Sequence, residues 1–351
     1  MARRVVIYTG VLRLSAEKRE AAKPVAWMSG ARVITDEGTF LPVRITSLVV
    51  GAVTDFNLYT RPHEDAPPVL YREQNLAFTA EDRIRLQESG VVELFVTEAD
   101  ETKFRHYIES NLSAILLDKA KDSEEKASLA YYCSQGLVAD VFNDPRSTES
   151  IERSKTLVQN MAEFMFQDES SLSNLMRLMS FDYYTYTHSV NVFVFSLSLA
   201  HHCGIDNVEA LRELGEGALL HDIGKSQLDP ELVAYEGTYT EEQYEQMKRH
   251  TVLGYELLKE QGCFSPIMLS IVRSHHERVN GTGYPDGLKG DEINPFVRIC
   301  AIAEIFDSMT TRRPYKEAAK SFNALSLMRD EIREEIDPIY FKAFVEMLGK
   351  A

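Results

Sequence analysis

The chain has 351 residues, 44% of them hydrophobic and 26% charged, the balance of an ordinary soluble globular protein long enough for two or three domains. A formal net charge of −16 argues against a general binder of DNA, RNA or acidic membranes, which needs a basic surface. It leaves open a small anionic substrate held by metal ions and a few local cations. Cys133, Cys203, Cys263 and Cys300 lie far apart with no CxxC pair, so neither a disulfide framework nor a zinc ribbon is expected, and a reducing cytoplasm is the expected location. Residues 1–8 lack the sustained apolar run of a secretory signal. The longest apolar stretch, residues 190–200, is broken by serines and too short to span a bilayer, so no membrane insertion is expected.

Residues 1–30 read as an irregular lead-in. From Ala31 the pattern turns β-like, with short β-branched runs at 31–35, 40–45 and 48–53 punctuated by Gly and Asp. A proline-rich loop at 61–68 follows, then a candidate strand at 69–71. Thr79 is placed to cap a helix with acids in its first turn, ending at Ser89-Gly90, and residues 91–96 form a further strand. Residues 1–100 are therefore expected to form a small α/β or α+β domain for sensing, docking or dimerisation. His63 and His106 have no ligand neighbour at useful spacing and are expected to be solvated or packed.

From Glu101 the texture is helical. Phe104, Tyr107, Ile108, Leu112, Ile115 and Leu116 recur every three or four residues. The charged stretch 118–126 reads as a solvated face or turn. Helices are expected at about 124–142, 147–166 and 170–203, and the remainder is helical except for a loop between about 278 and 296. The expectation is α+β overall, with 101–145 a helical linker able to form a homodimer seam and 146–351 an all-α domain.

That all-α half holds seven of the nine histidines. His221-Asp222 sits in an apolar run, where both groups are costly to bury unless something satisfies them. His188 lies on an apolar helix face, which also suits a packed core position. His250 comes late in a helix beginning near Glu241, and His275-His276 closes the helix that carries Ile271 and Val272. Glu304 and Asp307 are three apart on one helical face. His201-His202, at a helix end, read as a capping pair. Several helices each offering a ligand to a common centre is how bundles build multinuclear metal sites. One aspartate can bridge two ions about 3.5–4 Å apart. A histidine-rich donor set without cysteine favours iron or manganese over magnesium or calcium.

His221-Asp222-Ile223-Gly224-Lys225 resembles the HDxGK core of the HD superfamily of metal-dependent phosphohydrolases. His275-His276-Glu277-Arg278, followed by Gly281-Thr282-Gly283-Tyr284-Pro285-Asp286-Gly287-Leu288, resembles the signature of the HD-GYP family, and Thr310-Thr311-Arg312-Arg313-Pro314-Tyr315 its closing element. The resemblance covers roughly residues 145–345. It implies an all-helical bundle with metals at its centre and hydrolysis of cyclic di-GMP through pGpG to GMP by a metal-bridged hydroxide. It further implies His188, His221, Asp222, His250, His275 and His276 as ligands, with Asp222 bridging. Glu304 stands where the family's last ligand is usually aspartate. Asp307 is the alternative ligand, or an acceptor for an imidazole N–H.

Tyr183 and Tyr184 stand where some members carry a glutamate for a third ion, which points to two ions, although Asp182 is nearby. Lys225 is expected near a non-bridging phosphate oxygen. Gly283, Tyr284 and Pro285 are expected to shape the substrate wall, with Tyr284 touching guanine or phosphate. Asn280 replaces a more usual aspartate. Arg312, Arg313 and Lys316 form a basic cluster, with Arg313 as phosphate clamp. Two alternatives accompany this reading: a receptor that binds cyclic dinucleotide without hydrolysis, and a phosphodiesterase for a hybrid GMP-AMP cyclic dinucleotide. A signalling partner would engage the N-terminal domain.

Overall fold

A computed structural model describes residues 32–63, 66–119, 121–167, 169–179, 185–235, 237–311 and 320–349. Contacts divide them into two units at Gly136 and Leu137.

In the first unit seven strands are formed: β1 (Val33–Thr35), β2 (Gly38–Arg44), β3 (Val53–Thr54), β4 (Leu58–Thr60), β5 (Val69–Arg72), β6 (Leu76–Ala77) and β7 (Glu93–Thr97). Helices α1 (Ala80–Glu88), α2 (Glu101–Ser110) and α3 (Leu112–Leu117) accompany them. Five strands make an antiparallel sheet in the order β1-β2-β7-β4-β5, and β3 pairs with β6. β2 sets Leu41 opposite Val96 and Val43 opposite Leu94, all four buried. Beneath them Phe56 meets Phe104 and Tyr107 edge-on at 5.6 and 5.5 Å. Thr79 caps α1 through a reciprocal box with Asp82.

The strand expected at 48–53 is mostly absent. Residues 45–47 make a 3-10 turn, and only Val53 and Thr54 join a ladder. The backbone there is claimed elsewhere: Val49 donates to Tyr107 Oη at 2.8 Å and Gly51 to the Phe78 carbonyl at 2.7 Å, with Gly51 at φ 89°. A left-handed glycine turns the chain out of an extended path.

Helix α4 (Ser123–Asn143) contains the division between the units. The second unit continues with α5 (Thr148–Met165), α6 (Glu169–Leu178), α7 (Thr185–His202), α8 (Val208–Leu220), α9 (Pro230–Val233), α10 (Glu241–Lys248), α11 (His250–Gln261), α12 (Pro266–Ser274), α13 (Pro295–Thr310), α14 (Ser321–Glu331) and α15 (Pro338–Leu348). The single helix expected over 170–203 is two, since Met179, after α6, is already non-helical. The helix expected to carry His250 late in its length also breaks. His250 Nδ1 donates to the Met247 carbonyl at 2.7 Å and Thr251 Oγ1 to the Lys248 carbonyl at 3.0 Å, taking acceptors that a continuing helix would use. His250 therefore opens α11.

α7 packs against α8, α13 and α15, α8 against α5 and α12, and α11 against α12. Phe195, Phe306 and Phe344, from α7, α13 and α15, meet edge-on with centroids 5.0–5.7 Å apart. The result is the expected α+β chain, a small sheet domain followed by a helical one. Among the described residues no helix is long and apolar enough to cross a membrane.

Candidate metal centre

Three of the candidate ligands stand at helix ends. α8 stops at Leu220 and His221 follows as its cap, α10 gives way to His250, and α12 stops at Ser274 with His275 as its cap. The last turn of a helix leaves carbonyls without intrahelical donors. Each imidazole satisfies one of them: His221 Nδ1 donates to Ala218 O at 2.8 Å, His250 Nδ1 to Met247 O at 2.7 Å, and His275 Nδ1 to Val272 O at 3.0 Å. A carbonyl can only accept, so Nδ1 carries the proton and Nε2 presents a lone pair. His188, within α7, is oriented by a carboxylate instead, with Asp307 Oδ2 at 2.7 Å from its Nδ1. Asn191, one turn on, holds the other oxygen of Asp307 at 2.7 Å.

These side chains converge on Asp222. His188 Nε2 and His221 Nε2 lie 3.9 and 3.4 Å from Oδ2, whereas His250 Nε2 and His275 Nε2 lie 3.3 and 3.9 Å from Oδ1. Two groups result, His188-His221-Asp222 and Asp222-His250-His275-His276, with ligand atoms in each within 4.8 Å of one another and every member buried. Asp222 belongs to both.

The residues fit divalent ions on two observations. The Nε2 atoms of His250 and His275, both lone-pair bearing, face each other at 3.2 Å, which calls for a cation. Buried His221 Nε2, His276 Nε2 and Asp222 Oδ1 have no hydrogen-bond partner, and such groups are rarely left unsatisfied. Burial, the largest influence on each, pushes His250 down to about 4 and holds His275 and His276 well below the usual histidine range, keeping them neutral as ligands must be. Burial alone would raise Asp222. The Lys225 ammonium overrides it and holds the carboxyl well below the usual range.

Lys225, expected at the phosphate, is itself buried and donates to Asp222 Oδ2 at 2.5 Å. Glu304 is buried on α13 but joins neither group, and Ser308 Oγ donates to it at 3.0 Å. Asp307 stands behind His188 and is also outside both groups. His201 bonds Asp206 at 2.6 Å in the last turn of α7, away from either group.

Tyr284 stacks on His276 at 4.7 Å and 29°, Gly283 lies over the backbone of Glu277, and the Tyr284–Pro285 peptide is cis. Asn280 Oδ1 accepts from Thr282 N and Oγ1 at 3.1 and 2.7 Å, closing a local turn. Arg312, Arg313, Lys316, Asp182, Tyr183 and Tyr184 lie outside the described residues. Sequence reasoning assigned no role to Asn191 or Glu277. Asn191 carried one signal, its place three residues after His188 on the same helix face.

A helical bundle that gathers histidines around a shared aspartate defines a class, the histidine-rich metal centre built between helix ends. Residues 153–339 match the HD domain family, and the chain belongs to that family. It is 32% identical over 230 residues to the cyclic di-GMP phosphodiesterase PA4108 of Pseudomonas aeruginosa, covering 64% of this chain and 55% of that protein. It is 33% identical over 166 residues to the 3'3'-cGAMP-specific phosphodiesterase 3 of Vibrio cholerae serotype O1, covering 47% of this chain and 36% of that one. The matches thus span about half and about a third of those two proteins. The solved structure of Bd1817, an HDG"Y"P protein from Bdellovibrio bacteriovorus, shares the fold at a TM-score of 0.61 and 23% identity, covering 88% of this chain and 99% of that one.

Proposed function

We propose that the chain is a metal-dependent cyclic dinucleotide phosphodiesterase, hydrolysing cyclic di-GMP through pGpG to GMP. The observation that carries this reading is Asp222, which offers one oxygen to each of two imidazole groups. The substrate follows from the relative in Pseudomonas aeruginosa named for that activity. Two ions, iron or manganese by the donor set, would be held by His188, His221 and Asp222 and by Asp222, His250, His275 and His276. Glu304, one turn before Asp307 on α13, is the carboxylate available to complete the set. When bound, such ions make water acidic enough to attack at neutral pH and neutralise charge on entering and leaving oxygens.

The chain's own part is to hold and orient. Ala218, Met247, Val272 and Asp307 lock four imidazoles in the ligating tautomer, and Lys225 keeps Asp222 ionised. Tyr284 and its loop form one wall for the substrate, and Arg313 is the proposed phosphate clamp. Water adds in line to phosphorus, the P–O3′ bond breaks, and the 3′-oxygen leaves with a proton. No side-chain nucleophile is required.

The test is turnover of cyclic di-GMP by manganese- or iron-loaded protein, with pGpG and GMP resolved by chromatography. Asp222→Ala is expected to abolish product, and retained turnover in that variant defeats the reading. 3'3'-cGAMP belongs in the same assay because a relative is named for it. Faster turnover of that substrate would reassign the specificity. Tight binding without product from fully metallated protein would favour a receptor, a reading motivated by Glu304 being bonded to Ser308.

A further inference from the structure

We infer that the 283–288 loop acts on the metal centre itself: Glu277 is a positioning residue that, through this loop, sets the ring of His276 and so the occupancy of the Asp222-His250-His275-His276 half. The inference rests on the metal reading above and adds a role for a residue outside the ligand set.

His188, His221, His250 and His275 are each fixed by a hydrogen bond from Nδ1. His276 has no such bond among the described residues, and its Nε2 is buried without a partner. Its ring is held by packing instead. Two neighbours are other imidazoles, His275 at 4.2 Å and His250 at 5.1 Å, and Tyr284 is stacked on it at 4.7 Å. Tyr284 is therefore the brace that comes from outside the cluster.

Glu277 determines where that brace sits. Its carboxylate, 2% exposed, accepts from three successive amides: Asp286 N at 2.7 Å and Gly287 N at 3.1 Å on Oε1, and Leu288 N at 3.0 Å on Oε2. A carboxylate with three N–H donors is a strong, directional tie. The loop also lies directly on the Glu277 backbone, since a Cβ on Gly283 would stand 2.4 Å from Glu277 Cα. Tyr284 N donates to the His276 carbonyl at 3.3 Å. Weaker ties add to it: Arg273 to Asp286 at 2.8 Å, partly exposed, and Tyr284 edge-on to Tyr244 at 6.4 Å and beneath the Lys248 ammonium at 5.5 Å. Glu277 follows His276 directly in the chain, so ligand, latch and brace form one closed circuit.

The test is manganese titration of the metal-stripped 351-residue chain, reading stoichiometry and affinity by calorimetry and elemental analysis. Glu277→Ala is expected to keep one tight ion and bind the second about 10–100-fold more weakly, the usual effect of losing support behind a ligand. Tyr284→Ala should do the same, and Tyr284→Phe, which keeps the stacked ring, should behave as the unsubstituted chain. Glu277→Gln should fall between, because its amide nitrogen cannot accept from Leu288 N. Two ions bound by Glu277→Ala at unchanged affinity, with only KM for the dinucleotide raised, would overturn the inference and assign the loop to substrate alone. Loss of both ions together with a lowered unfolding midpoint in Glu277→Ala would also overturn it, by showing a fold-wide role. The titration uses manganese alone, so its outcome is separable from whether the substrate assignment stands.

Discussion

Asp222 is buried among four imidazole Nε2 atoms and one ammonium, and its two oxygens face different pairs of histidines. Burying a charge is expensive unless partners surround it. Here the Lys225 ammonium offsets the burial, and the carboxylate stays ionised, as metal binding would require. Asp307 works at one remove, fixing His188. Its replacement by alanine is expected to weaken metal binding about 10–100-fold with little change in secondary structure, measurable by metal titration and circular dichroism. The histidines also make a prediction for metal-free protein. Burial pushes His250 from 6.5 to about 4, and His275 and His276 move the same way. Each favours the folded state fully above the unfolded value of 6.5 and loses that contribution as pH falls toward its folded value. His221 runs oppositely, being raised by Asp222 against its burial, so its contribution is present below 6.5 and lost above. Three outweigh one. The thermal midpoint of stripped protein should fall as pH drops from 6.5 toward 4, and His250→Gln should flatten that slope. A midpoint insensitive to pH across this window would contradict the assignment of neutral ligands.

Helix ends are what build the centre. The orphan carbonyls of α8, α10 and α12 each orient one imidazole, so termination of the helix and preparation of the ligand are one event. The elements must then come close. Gly224 sits in the 3-10 turn after Asp222, against α11, where an added Cβ would stand 1.8 Å from the His250 carbonyl oxygen and 2.5 Å from Gly254 N. Both obstacles are backbone and cannot swing aside. Gly224→Ala is expected to cost about 1–3 kcal/mol by overpacking and to separate Asp222 from His250. Urea denaturation would show the lower midpoint, and metal titration the weaker binding. A variant with unchanged midpoint and affinity would mean that the crossing is looser than the structure has it.

At the scale of the whole molecule, the site residues all fall within the helical unit and the sheet belongs to the other. An ion bound by the native state alone stabilises it by about 4 kcal/mol when present at 1,000 times its Kd. That gain should appear where the ligands are. Adding manganese to stripped chain is expected to slow amide exchange in α7, α8, α11, α12 and α13 and to leave β2 and β7 unchanged, as followed by hydrogen-exchange mass spectrometry. Equal protection gained in the sheet would contradict a metal site confined to the helical unit.

Much of this was legible before folding. Side-chain chemistry and short periodicities are local, so the chain itself announced the His221-Asp222 pair, the His275-His276 pair, the cap at Thr79 and helices at about 124–142 and 147–166, which form over 123–143 and 148–165. Other features depend on partners far away in sequence. The turn at 48–52 exists because Tyr107 and Phe78 take backbone groups that a strand would have paired. The break before His250 exists because two side chains take the carbonyls of the preceding turn. Asp307 is 119 residues from the imidazole it holds, and no periodicity links them. Glu277 reads in sequence as one more acid beside two histidines, and only the return of the 283–288 loop over it gives its carboxylate three amides. The sequence by itself determined which donor atoms the chain offers, because those are properties of residues. The tertiary structure alone decided which oxygen of Asp222 faces which histidines and what holds each ring, because those are distances between elements brought together by packing.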